Sequence, residues 1–90
     1  MKLHLVLKAK WFDMIKSGEK KEEYRNMTDY WHKRIGNRAD EITSIVFHRG
    51  YTNITHEREV EKIDTGFGNP EWGDFILKKQ YRIRLGKEVK

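Results

Sequence analysis

Leu3, Leu5 and Leu7 alternate with Lys2, His4 and Val6. A period of two predicts a strand over residues 2–8 with one buried face. The spacing then changes. From Ala9 to Ser17, Trp11, Phe12, Met14 and Ile15 recur at helical intervals while Lys10, Asp13 and Lys16 stay polar, which predicts an amphipathic helix. Gly18 suits the left-handed cap that ends such a helix. Residues 19–25 are charged but carry Tyr24, and predict a short extended segment. Thr28 can cap a second helix, with Asp29 in the first turn where the helix dipole favours a carboxylate. Tyr30, Trp31, Arg34 and Ile35 mark its inner side. Gly36 closes it, and a polar loop runs to Asp40.

In the second half, Ile45 and Phe47 share one face of a strand predicted over 42–48. Arg49, Gly50 and Tyr51 form a turn. Residues 54–63 predict a weaker strand of alternating charge. Gly66-Phe67-Gly68-Asn69-Pro70-Glu71-Trp72-Gly73 is dense in breakers and reads as an ordered loop. Phe75, Leu77, Tyr81, Ile83 and Leu85 then alternate against Arg82 and Arg84, a strand over 74–85 followed by a frayed tail from Gly86. The order is β-α-β-α-β-β-β. Short connections between the last strands favour antiparallel pairing. The economical solution is a single α+β domain over 1–90, a small mixed barrel of about five strands with two helices packed on it.

Composition narrows the chemistry. With no cysteine, disulfides and thiolate metal sites are excluded. The four histidines, His4, His32, His48 and His56, are scattered with no pair at metal spacing, so neither metal nor other cofactor is expected. No apolar run is long enough for a signal peptide or membrane span, and a reducing, cytoplasmic setting is expected. The formal net charge of +5 in 90 residues favours polyanionic partners, although a basic surface also serves solubility alone.

Gly18-Glu19-Lys20-Lys21-Glu22-Glu23-Tyr24-Arg25 follows the pattern G-x-K-x-x-E-x-R. On a strand, Glu23 and Arg25 share one face. Lys20 joins them only if a turn or bulge follows Gly18. Two cations would then flank one carboxylate, and Glu23 would orient one of them toward a phosphate or a base carbonyl. The plain alternative is a surface ion pair that contributes little. The motif resembles the signature of the ASCH family. So does its context: the Leu-x-Leu-Lys strand, the Trp-Phe-Asp-x-Ile-x-Ser-Gly helix, the Gly66–Gly73 loop and the closing Tyr-x-Ile-x-Leu-Gly strand. The resemblance spans Leu3 to Gly86. It implies a PUA-like barrel, a cleft lined by the motif, and a role in RNA metabolism or nucleotide chemistry.

Further candidates surround this centre. The family pattern has a lysine at Lys8, which implies a place in the cleft; otherwise Lys8 is a solvated strand end. Trp72 is either a stacking platform for a base or a core plug. Glu71 can accept from an exocyclic amine or act as a base. His48, Arg49 and Tyr51 combine a titratable ring, a cation and a stacking face, which suits single-stranded nucleic acid as well as ordinary surface. Arg82 and Arg84 predict a solvated basic face that extends a phosphate track. Trp11, Phe12, Tyr30 and Trp31 are expected in the core, because they sit on helical stripes.

The main functional expectation is a module that binds RNA or a small nucleotide or nucleoside around Lys20, Glu23 and Arg25. A small hydrolase is the first alternative. Some ASCH members resemble amidohydrolases acting on acylated cytidine nucleosides, and others look like ribonucleases. In the amidohydrolase type a lysine matching Lys20 works with a threonine nucleophile, and here Glu23 stands at the threonine's position. Hydrolysis would then need Glu23 as general base and Lys20 as oxyanion stabiliser. A protein-interaction adaptor is the second alternative, with no identifiable partner.

Overall fold

The computed structural model describes residues 1–73 and 77–90. The elements in chain order are β1 (Lys2–Leu7), α1 (Ala9–Ser17), β2 (Glu22–Arg25), α2 (Asp29–Arg34), a 3-10 turn at Gly36–Arg38, β3 (Ser44–Arg49), β4 (Thr55–Gly66), a second 3-10 turn at Pro70–Trp72, and β5 (Gln80–Val89). The predicted order holds. α1 ends on Gly18 in the left-handed conformation, φ 88°. Thr28 caps α2 by accepting the Trp31 N–H at 3.4 Å.

The five strands form one sheet in the order β1-β3-β4-β5-β2. β1 runs parallel to β3, and the other neighbours are antiparallel. The register aligns Leu3 with Ile45 and Leu5 with Phe47, so both apolar stripes face the same way and bury together. Two register shifts, between Arg58 and Val60 and between Val60 and Lys62, interrupt the β4–β5 ladder. Such irregularities bend a strand and raise its twist. The sheet curls into a half-barrel, and the protein is a small α+β fold with a barrel-like sheet. Phe12 and Ile15 of α1 and Ile35 after α2 fill the concave side against Leu5, Ile45, Phe47 and Ile83, each almost wholly buried. No helix among the described residues is long and apolar enough to cross a membrane.

Four expectations need correcting. Gly36 does not close α2: Ile35 caps it and Gly36 opens a 3-10 turn. A glycine is needed there because a Cβ would run into the Tyr81 hydroxyl. The strand predicted over 54–63 is present but runs on to Gly66, as Thr55–Gly66, the longest among the described residues; its charges find partners, Glu57 in Lys2 and Ser44, and Asp64 in Arg82. The last strand begins at Gln80, and Leu77 is 95% exposed in a bend; Phe75 lies outside the described residues. The tail is not frayed, since Glu88 and Val89 pair with Arg58 and Glu57.

A cleft in the open seam of the half-barrel

Because β3, β4 and β5 lie between them, β1 and β2 are the two edges of the curled sheet, and no ladder joins them among the described residues. The gap between these edges is a cleft of about 400 Å³. Val6, Leu7 and Lys8 line it from the β1 side, and Glu23 to Asn26 from the β2 side. Trp11 of α1, Trp31 of α2 and Trp72 of the second 3-10 turn add three indoles.

Glu23, Tyr24 and Arg25 of the Gly18–Arg25 motif line the cleft. Gly18 turns the chain out of α1, and the Lys20 N–H donates to the carbonyl of Met14 at 2.9 Å. Lys20 therefore precedes β2 and escapes its alternation, as the odd spacing of the motif required. Glu23 lies between two cations: Oε1 is 3.3 Å from Lys20 Nζ, and Oε2 is 3.3 Å from Arg25 Nη1. The Lys20 side chain is 1% exposed, Glu23 7% and Arg25 18%. This is a buried array, not the surface ion pair of the plain reading. Glu23 Oε1 also accepts the Tyr24 N–H at 2.9 Å. Among the described residues, Oε2 is buried with no hydrogen bond of its own, and the Arg25 charge faces it.

Aromatic faces complete the cations' surroundings. Lys20 Nζ sits 5.5 Å from the centre of the Trp11 ring and 5.1 Å from that of Tyr24. The Arg25 guanidinium lies 5.2 Å from the Trp31 ring. These are cation–π distances, where the ring's negative face attracts the charge. Burial pushes the Lys20 ammonium below the ordinary lysine value of 10.5, and the charge of Glu23 opposes that shift.

The Pro70–Trp72 turn is clamped over this motif. Asn69 Oδ1 accepts the Glu71 N–H at 2.9 Å, capping the turn. The Asn69 N–H donates to the Tyr24 hydroxyl at 2.9 Å, and Lys20 Nζ donates to the Trp72 carbonyl. Trp72 thereby becomes a cleft wall. Glu71 is exposed and absent from the cleft lining. A 3-10 turn sets successive side chains about a third of a revolution apart, so turning Trp72 inward turns Glu71 away.

The cleft gathers Lys8, Glu23, Arg25 and Trp72 directly, with Lys20 beneath them. His48, Arg49 and Tyr51 lie elsewhere. They stand at the end of β3 and in the turn after it, and β1 separates β3 from the seam. Arg49 holds Asp13 through two bonds of 3.0 and 3.1 Å. His48 Nε2 shares a hydrogen bond with His4 Nδ1 at 2.9 Å. Tyr51 is 99% exposed. Parallel pairing of β1 with β3 thus creates a histidine pair that linear spacing concealed. No group of three or more His, Asp or Glu among the described residues is arranged to hold a metal.

The Arg82–Arg84 face is not a free basic surface either. Arg82 grips Asp64 through bonds of 2.8 and 2.9 Å, and Arg84 faces Glu22 and Glu61. Trp11 and Trp31, expected in the core, pack against it while lining the cleft, and Tyr30 is largely exposed. A large indole at the border of an apolar stripe is rarely buried whole. That border position, on the helices flanking the motif, was the available signal. Compared with family models, curated proteins and solved structures, the chain finds no match.

Proposed function

We propose that this chain binds single-stranded RNA or a nucleotide, receiving one base in the seam cleft and meeting its carbonyl or phosphate oxygens with Arg25 and Lys8. One observation carries the reading: Glu23 and Arg25 line an open cleft walled by three indoles, and Lys20, buried behind Glu23, completes a cation–carboxylate–cation row. Burying ions is costly, and an apolar set of similar volume often serves stability as well. A ligand gives such a row a purpose. Indoles offer stacking faces that any base can use, and a guanidinium held by Glu23 keeps donors for a polar edge. The arrangement agrees with what the resemblance to the ASCH family implies, a PUA-like barrel with the motif lining its cleft, in a cysteine-free chain suited to the cytoplasm.

Binding is favoured over hydrolysis by the state of Glu23. Its Oε1 accepts a backbone N–H beside Lys20, and its Oε2 faces Arg25. A carboxylate so engaged is poorly placed to take a proton from water. The test is a titration of the protein with short single-stranded RNA and with nucleosides, acetylcytidine included, at two salt concentrations, with chromatography of the same samples. Salt-sensitive binding without product is expected. Arg25→Ala should weaken binding roughly tenfold or more, the scale of one missing charge-assisted hydrogen bond, in a domain that stays folded although unpairing the buried Glu23 Oε2 lowers its melting temperature. Unchanged binding by that variant would refute the assigned site. Product that disappears in Glu23→Gln would make the protein an enzyme, and binding to nothing would leave the adaptor reading.

A further inference from the structure

Contacts run along α2 from the cleft wall. Trp31 is a cleft wall, and its ring meets Tyr30 edge-on at 4.7 Å between centres. The Arg34 guanidinium lies 3.5 Å above the Tyr30 ring. Past Arg34, a shallow concavity of about 360 Å³ is lined by Met1, Leu3, Lys33, Arg34 and Arg38. Among the described residues, its lining holds three cationic side chains and no carboxylate.

Those cations differ from others on the surface. Arg49, Arg82 and Arg84 are committed to Asp13, Asp64 and Glu22. Among the described residues, Arg34 donates only to the Tyr30 carbonyl, at 3.3 Å, and Arg38 approaches only the Met1 sulfur, at 3.6 Å. No ion pair among the described residues involves Lys33. No carboxylate among the described residues pairs with them directly. A guanidinium stacked on an exposed ring, beside further free cations, suits a chain of phosphates with bases between them. It suits a protein partner less, because the concavity has little apolar surface to bury.

We propose that the ligand is a single-stranded polynucleotide: with one base in the seam cleft, its backbone leaves along α2 and sets following phosphates on Lys33, Arg34 and Arg38. This rests on the cleft reading and adds the ligand's class and direction. It also moves the phosphate track from the Arg82–Arg84 face to α2.

The experiment is calorimetric titration of the whole chain with ribonucleoside monophosphates and with a mixed-sequence single-stranded RNA about nine nucleotides long, within the site sizes of such grooves. The triple variant Lys33→Gln, Arg34→Gln, Arg38→Gln is compared with a charge-matched one, Lys62→Gln, Arg84→Gln, Lys87→Gln. In the parent, RNA should bind more tightly than any monophosphate. The α2 variant should lose roughly tenfold or more in RNA affinity, and its salt slope should fall by about 0.7 for each phosphate it no longer neutralises. Monophosphate binding should stay as in the parent, and the charge-matched variant should keep most of its RNA affinity. Equal losses in the two variants, or RNA binding no tighter than monophosphates, would overturn the track and leave the cleft standing. A parent that binds neither probe would bring down the cleft reading as well.

Discussion

Glu23 is the residue on which both the cleft and the local fold depend. With Lys20 buried beside it, Glu23→Ala strands an ammonium out of water. Breaking a buried pair from one side costs about 3–5 kcal/mol, whereas replacing both partners by apolar groups is often nearly neutral. Glu23→Ala should therefore destabilise the protein by about that amount, and the double variant Lys20→Met, Glu23→Leu should recover most of it. Urea unfolding of the set checks this; equal losses in the single and double variants would mean that Lys20 is not charged in its site. His56 offers a second residue-scale prediction. Burial pushes its imidazole below the ordinary 6.5, Arg58 adds to the effect and Glu88 opposes it. Arg58 Nε donates to His56 Nε2 at 3.0 Å, a bond that needs the neutral ring. The unfolded chain then takes up the proton first. Stability is full above 6.5 and is lost as the pH falls from there toward the folded value. Asp13 and Asp64, held below 3.8 by Arg49 and Arg82, lose their contribution only in stronger acid. Urea midpoints between about pH 7.5 and 5 should fall in the parent and stay flatter in His56→Gln.

At the scale of elements, two glycines that look alike in the sequence do different work. Gly18 has positive φ and open space around it, so Gly18→Ala costs only the backbone term, about 1–2 kcal/mol. Gly36 has no such angle, and its constraint is the Tyr81 hydroxyl, which bonds His32 Nδ1. Gly36→Ala should cost about 1–3 kcal/mol through overpacking, and Tyr81→Phe should relieve part of it. Phe substitution should give Gly18→Ala no relief. Thermal unfolding of these variants separates backbone strain from crowding. Both helix starts and the first helix end were legible, because caps and apolar spacing are local. The clash at Gly36 was not, since Tyr81 is far along the chain and reaches it only once β5 is in place.

For the molecule as a whole, the open seam dictates where the fold is weakest. Among the described residues, β3, β4 and β5 each have neighbours on both sides, while β1 and β2 have one each. Hydrogen exchange should be slowest in the interior strands and faster on the free edges of β1 and β2. A ligand in the cleft should slow exchange in β2 without much changing β3. Amides of Lys87 to Val89 should also be protected, since β5 continues its pairing with β4 there. Fast exchange of that segment would argue against the strand's length. Equal protection of edge and interior strands would argue against an open seam.

What the chain determined by itself was local: strand and helix periods, the cap at Gly18, the order of elements, and the grouping of Lys20, Glu23 and Arg25 across a turn. Nearest neighbours and helical or pleated geometry suffice for those. Tertiary structure alone decided the rest. It committed Arg49, Arg82 and Arg84 to carboxylates from distant segments, and it turned Glu71 outward as Trp72 turned in. It brought His4 against His48 and placed Trp11 and Trp31 at a cleft instead of wholly within the core. Each of these depends on which strands become neighbours and on the sheet curling without closing. Such long-range pairings join residues tens of positions apart, and no short window of sequence contains both partners.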